Sequence, residues 1–162
     1  MRRRRRRRRT ATDVFLTVLW WTALAVFLVS GSVLAVYQLR SGSEKKANET
    51  LAAPIQQAIS ASDSTAVEQA KETLVTENAD MIGWVSIENT SLSYPVMYTP
   101  SSPEYYLRRA FDKSYALSGT PFLDAACTPD GTGVNSIIYG HNMKNDTMFS
   151  VLANYTNQSF WQ

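Results

Sequence analysis

Two side chains with reactive chemistry are almost missing from this 162-residue chain, which holds one cysteine and one histidine. A single thiol, Cys127, excludes an intrachain disulfide, so the fold depends on packing and hydrogen bonding. Charge is also missing over one long stretch: after Asp13 no charged residue occurs until Arg40. No internal repeat is present, and the only low-complexity segment is a run of arginines. No cofactor motif occurs. Asp124, Asp130 and Asp146 are too unevenly spaced to form a compact loop of oxygen ligands, so they read as solvated loop carboxylates rather than a metal site.

The amino-terminal end carries two opposite extremes. Arg2 to Arg9 are eight consecutive arginines, and Val14 to Tyr37 are 24 residues dominated by Val, Leu, Phe, Trp and Ala. At 1.5 Å per residue this stretch makes a helix of about 36 Å, enough to cross a hydrocarbon layer of roughly 30 Å with some tilt. Arginine is retained on the cytoplasmic side, which predicts a cytoplasmic tail at 1–13, a transmembrane signal-anchor at 14–37, and everything after Arg40 outside the cell. A cleaved signal peptide is the rival reading, with Val33-Leu34-Ala35 as a poor cleavage site. The apolar run exceeds the usual length for that purpose. Anionic lipid headgroups suit the arginines better than nucleic acid does. Residues 41–162 carry seven Lys or Arg against thirteen Asp or Glu, a net of −6, which argues against a nucleic-acid surface.

Residues 38–80 read as a helical stalk. Leu51, Ile55 and Ile59 share one helix face, and Pro54 is expected to start or kink a helix. Thr65 with Glu68 fits a capping box before Val67, Ala70 and Leu74. From Met81 the texture changes to aromatic and β-branched residues. Gly83–Ile87 and Leu92–Tyr98 predict two strands joined at Asn89 and Thr90 as a hairpin, with Pro95 demoting the second to an edge or bulged strand. Tyr105–Phe111 predicts a helical turn, Gly119–Asp124 and Asn135–Tyr139 two further strands, and Met148–Tyr155 a helix.

The stretch from Asn135 to Met143 reads Asn-Ser-Ile-Ile-Tyr-Gly-His-Asn-Met. Ile137, Ile138 and Tyr139 predict a buried strand, and His141 follows it after Gly140. A strand end fixes an imidazole while the adjoining loop leaves it reachable, a placement suited to catalysis. A histidine that caps a turn is the plainer alternative.

Several segments in order resemble the class B sortases. Gly83-Trp84-Val85-Ser86-Ile87, Thr90 and Tyr94-Pro95-Val96 are similar to that family's opening strands. Tyr105-Tyr106-Leu107 with Phe111, and Gly119-Thr120-Pro121-Phe122-Leu123-Asp124, follow in the family's order. Asn135 to Met143, with Met148-Phe149 and Leu152, resembles its histidine segment. The resemblance runs from about Asp80 to Trp161. It implies a mainly β fold, part of a sortase-type β-barrel with short helices (about the first four of eight strands), placed at 81–162. It implies a membrane-anchored cysteine transpeptidase of the Gram-positive surface. Such an enzyme cleaves a sorting motif of secreted proteins through a thioacyl intermediate and passes the acyl group to a cell-wall or pilin amine. His141 would be the catalytic proton carrier, Leu107 would lie in the substrate groove, and no cofactor is implied.

The chain departs from the family pattern in one respect. In that family the nucleophilic cysteine and an arginine lie on late strands, beyond the histidine. Here no arginine follows Arg109, and Cys127 precedes the histidine strand. The expectation is therefore a truncated sortase, inactive alone, with Cys127 an ordinary loop thiol and Arg108 and Arg109 surface charges. The alternatives are a non-catalytic, membrane-anchored binding module that keeps the sorting-motif groove, and a small anchor protein without one. Asn48, Asn89, Asn145, Asn154 and Asn157 each begin an Asn-X-Ser/Thr triplet, which reads as coincidence.

Overall fold

The computed structural model describes residues 10–161. The arginine run and Gln162 lie outside the described residues. Two compact units divide at Leu39 and Arg40.

In the first unit, helix α1 (Ala11–Ser60) begins with a reciprocal cap. The Thr10 amide donates to the Asp13 carboxylate at 2.9 Å, and the Asp13 amide donates back to the Thr10 hydroxyl at 3.3 Å. The apolar part of α1 has a mean hydropathy of 2.0 over 18 residues, and none of that window is buried within the protein. Several of its hydroxyls bond along the helix itself. Thr22 donates to the Leu19 carbonyl and Ser32 to the Leu28 carbonyl, as an apolar environment requires. By length and composition this helix is able to cross a membrane.

In the second unit the rest of α1 leads into helix α2 (Ser64–Glu77) and a four-stranded sheet of order β1-β2-β3-β4. β1 (Met81–Ser86) and β2 (Ser93–Met97) form an antiparallel hairpin, closed where the Ile87 amide donates to the Leu92 carbonyl at 3.0 Å. Asn89 at the turn has φ of +60°, a conformation asparagine tolerates better than most residues. β3 (Phe122–Leu123) joins β2 in parallel at Met97, and β4 (Ile138–Tyr139) joins β3 antiparallel.

β2 is buried along its whole length because its two faces serve two clusters. Met97 packs with Ile55, Leu74, Met81, Tyr106, Phe111 and Phe122. Leu92 and Tyr94, on the alternate face, pack with Met148. Ile55 of α1 and Leu74 of α2 therefore belong to the same core as the sheet.

Several expectations need correction. The described chain is mostly helical rather than mainly β. α1 has 50 residues and α2 has 14, whereas β3 and β4 have two each. Pro95 does not mark an edge or a bulge. β2 lies between β1 and β3, and the register breaks between Met81 and Gly83 instead. A proline is tolerated there because β3 reaches β2 only at Met97, so no ladder bond to β3 is lost. Pro54 does not start a helix; it lies inside α1. The cap of α2 is Asp63, whose carboxylate accepts from the Ala66 amide at 2.9 Å, in place of the Thr65–Glu68 pair. The helical turn at Tyr105–Arg108 forms as a 3-10 turn, and Phe149–Thr156 is 3-10 rather than α.

Candidate functional site

β4 is not a buried strand. It ends the order of the described sheet, and Ile137 and Tyr139 are 43% and 46% exposed. His141 sits just beyond it, and four contacts hold its loop. A Cβ at Gly140 would meet the Phe149 ring at 2.7 Å, so that ring packs directly on the backbone before the histidine. The Phe149 amide donates to the His141 carbonyl at 2.9 Å. Asn142 pairs with Met148 across the intervening turn, and the Met148 amide donates to the Tyr94 hydroxyl at 3.0 Å. The loop is thereby tied to β2.

The imidazole is half-buried. Partial burial pushes its pKa below the ordinary histidine value, and the Arg108 guanidinium acts in the same direction. The Ser118 carbonyl, as acceptor from the ring, opposes them. The net direction is downward, which favours the neutral ring; that form accepts a proton, and it donates one only after it has been charged.

His141 and Leu107 line one cleft of about 420 Å³, with Phe122 and Tyr139 on its apolar wall and Glu104 and Asp124 as its carboxylates. The Tyr139 hydroxyl donates to Asp124 at 2.9 Å, and its ring lies 5.5 Å from that of Phe122. The two site residues expected from sequence are thus brought together. Leu107 reaches the cleft from the 3-10 turn, which is seated against Gly119 at φ of +60°. A Cβ there would lie 2.5 Å from the Leu107 carbonyl and 2.6 Å from that of Tyr106.

Cys127 is not in this cleft's lining. Its sulfur accepts from the Ile137 amide at 3.4 Å and lies 3.6 Å from the Asn135 carbonyl. The thiol braces its own loop against the approach to β4. Arg109 lies over the Tyr105 ring at 4.5 Å and donates to the Lys113 carbonyl. Arg108 is more than free surface charge: it donates to the Leu117 carbonyl at 2.7 Å and lowers the His141 pKa. Sequence reasoning missed that role, because a residue 33 positions from the histidine shows no local pattern. Among the described residues no group of three His, Cys, Asp or Glu side chains is arranged to hold a metal ion. Asp130 instead accepts from the Thr132 amide and hydroxyl within its own turn.

The fold is similar to that of solved sortase B structures, and the curated proteins that the chain resembles in sequence are also sortases B. Sortase B of Staphylococcus aureus is 35% identical over 91 residues, 56% of this chain and 37% of that protein. Sortase B of Listeria monocytogenes is 37% identical over 83 residues, 51% of this chain and 33% of that protein. The structure of the Staphylococcus aureus sortase B–substrate complex superposes with a TM-score of 0.66 at 31% identity, over 76% of this chain and 56% of that one. Sortase B complexed with triglycine also matches with a TM-score of 0.66, at 31% identity over 75% of this chain and 56% of that one. No family model matches. The chain is similar to sortase B in sequence and in fold, and it spans about a third of the length of the curated relatives it matches.

Proposed function

We propose that this chain is the anchor-bearing, histidine-bearing part of a class B sortase-type cysteine transpeptidase. The observation that carries this reading is the cleft shared by His141 and Leu107. In the proposed reaction His141 takes up the proton of the cysteine thiol, and the resulting thiolate attacks the carbonyl at a sorting motif of a secreted protein. His141 delivers a proton to the leaving amine, and an amine of a peptidoglycan precursor or pilin then resolves the thioacyl intermediate. Two solved relatives, one in complex with substrate and one with triglycine, support a peptide and an amine as the two partners. Leu107, Phe122 and Tyr139 offer apolar contact to the peptide.

The nucleophilic cysteine and the oxyanion-stabilising arginine are not supplied by the residues of this chain. Cys127 is engaged with backbone outside the cleft. The 162 residues alone are therefore inactive. Residues 14–37 anchor the protein in the cell membrane with 1–13 in the cytoplasm. Residues 38–80 form an outer stalk and 81–162 the amino-terminal part of the sortase domain. A second reading, a membrane-anchored binding module, is favoured by the cleft being formed without a thiol in it.

The test is turnover of sorting-motif peptides with an amine acceptor, by this chain and by a version completed with a cysteine- and arginine-bearing sortase B carboxyl half. The chain alone should give none. In the completed enzyme His141→Ala should lower turnover by roughly 10²–10⁴-fold. Near-normal turnover in that variant would remove the histidine from the mechanism. Turnover by the chain alone that vanishes in Cys127→Ala would make Cys127 the nucleophile. Peptide binding without turnover in the completed enzyme would favour the binding-module reading.

A further inference from the structure

We propose that Asn145 is a positioning residue for His141, fastening the loop that follows the histidine to Ser41 of α1. Both polar groups of the Asn145 side chain are engaged. Its side-chain amide donates to the Ser41 hydroxyl at 2.6 Å, across 104 residues of sequence, and its side-chain carbonyl accepts from the Thr147 hydroxyl at 2.6 Å. Ser41 is buried on α1, and Thr147 is buried in the loop. The Asn145-Asp146-Thr147 triplet is therefore used inside the fold.

From Asn145 the path to His141 runs through a short hairpin of backbone. Met148 pairs with Asn142 across the turn, and the Phe149 amide donates to the His141 carbonyl at 2.9 Å. Nearer the tip the Asp146 amide donates to the Met143 carbonyl at 3.2 Å. The His141 backbone is thus one rung of a hairpin whose tip is held by Asn145. That tip is strained. Asp146 and Met148 have φ of +58° and +57°, and a methionine keeps such a conformation only where its surroundings fix it. The Tyr94 hydroxyl fixes Met148 from β2, accepting from its amide at 3.0 Å, while Asn145 fixes the tip from α1. Among the described residues no other hydrogen bond joins residues 142–148 to α1. Asp146 and Thr147 border a cavity of about 340 Å³ with Lys45, Glu49 and Ala52 of that helix. The tip therefore has room to move once the bond to Ser41 is gone, and the rung at His141 belongs to the same hairpin.

This inference rests on His141 being the reactive histidine of the proposed transpeptidase, but its test reads amide exchange and the imidazole signal rather than turnover. The two can therefore fail separately. His141 is the only imidazole in the chain, so the labelled full chain in detergent micelles gives one ring signal in an NMR titration. The charged and titratable groups around the ring are Arg108, Glu104, Asp124 and Tyr139, and all stay unchanged in the variants. Two amides report on the backbone: that of Phe149 is bonded to His141, and that of Ile87 closes the β1–β2 hairpin.

Ser41→Ala removes only the acceptor on α1 and leaves the loop's own sequence intact. It should speed exchange of the Phe149 amide by roughly five- to tenfold, the scale of one net hydrogen bond, and leave the Ile87 amide unchanged. The ring signal should shift, and its titration midpoint should rise toward the ordinary imidazole value, because a ring held less firmly loses part of the burial that depresses it. Asn145→Ala should do the same to a greater extent, since the bond to Thr147 is lost too, and adding Ser41→Ala to it should change nothing further. Ser43→Ala, whose hydroxyl donates to the Arg40 carbonyl on the same helix, should alter none of these signals. The proposal fails if Ser41→Ala leaves Phe149 exchange at its native rate, or if the double variant exceeds Asn145→Ala alone. It fails equally if exchange quickens while the ring signal and its midpoint stay put, since Asn145 would then hold the loop without placing the histidine. Equal acceleration at Phe149 and Ile87 would make the bond a general structural one and overturn its specific role.

Discussion

The Tyr106 hydroxyl donates a 2.8 Å hydrogen bond to the Asp80 carboxylate, joining the turn that carries Leu107 to the residue just before β1. The same oxygen accepts from the Asn78 side chain at 2.8 Å, and Asn78 also donates to the Phe111 carbonyl. Burial pushes the phenol well above its ordinary pKa, and Asp80 adds to the effect. Asp80 moves the other way, held low first by Lys113 at 2.9 Å and then by Tyr106. The turn that carries Leu107 is therefore keyed to the end of α2 by hydrogen bonds rather than by apolar contact alone.

Tyr106→Phe should destabilise the fold by about 1–3 kcal/mol, since it leaves a buried amide donor short of one acceptor. Denaturant midpoints of the full chain in micelles measure this. An unchanged midpoint would mean that the hydroxyl is not holding Asn78.

Gly119→Ala should cost roughly 2–3 kcal/mol, because its methyl group would collide with backbone carbonyls that cannot rotate away. Gly83→Ala is the control: its Cβ would meet nothing within 4 Å, so its effect should stay within about 1 kcal/mol. If the two variants melt alike, the seat of the Leu107 turn is looser than described.

His141 should titrate below 6.5, with burial the main cause. The sign of its effect on stability follows. The unfolded chain binds a proton more readily than the native one. Stability is therefore fully present above about pH 6.5 and declines as pH falls toward the folded value. Denaturation between pH 5 and 8, native against His141→Gln, isolates this contribution. The difference should widen toward acid, and a difference that widens toward alkali would reverse the assignment.

Protease added to intact protoplasts should digest the chain from Ser41 onward and spare 1–37. Protection of the outer region would overturn the proposed topology.

Excision at Met81 should leave a poorly folded fragment, because Ile55 and Leu74 would be removed from the core that holds Met97 and Tyr106. Broad melting and binding of an apolar dye are the expected signs. A sharp melt of residues 81–162 alone would show that the helices are dispensable.

Much of the architecture was legible from local pattern. The apolar span inside α1, the β1–β2 hairpin with its turn at Asn89, and the short turn before Phe111 each follow from periodicity or turn chemistry within a dozen residues. His141 stood out as the only imidazole, placed after an apolar run and a glycine, and the order of several segments pointed to sortase B. Local pattern failed where burial depends on distant partners. Ile137, Ile138 and Tyr139 are as apolar as a core strand, yet at the end of the described sheet order Ile138 is only half-buried and Ile137 and Tyr139 are exposed. Pro95 reads as an edge residue by itself, but how far β3 extends along β2 decides what a missing amide costs.

The sequence by itself determined the apolar helix, the hairpin and the identity of the titrating ring, because each depends on residues adjacent along the chain. Only the tertiary structure decided what surrounds that ring. Phe122, Tyr139 and Leu107 meet it in one cleft from three separate elements, and elsewhere the Glu44 carboxylate of α1 finds the Leu117 and Ser118 amides across up to 74 residues, which no spacing rule encodes. The reason is physical: periodicity reports which face of an element is apolar, whereas hydrogen bonds between elements form only after packing has set their distance and direction.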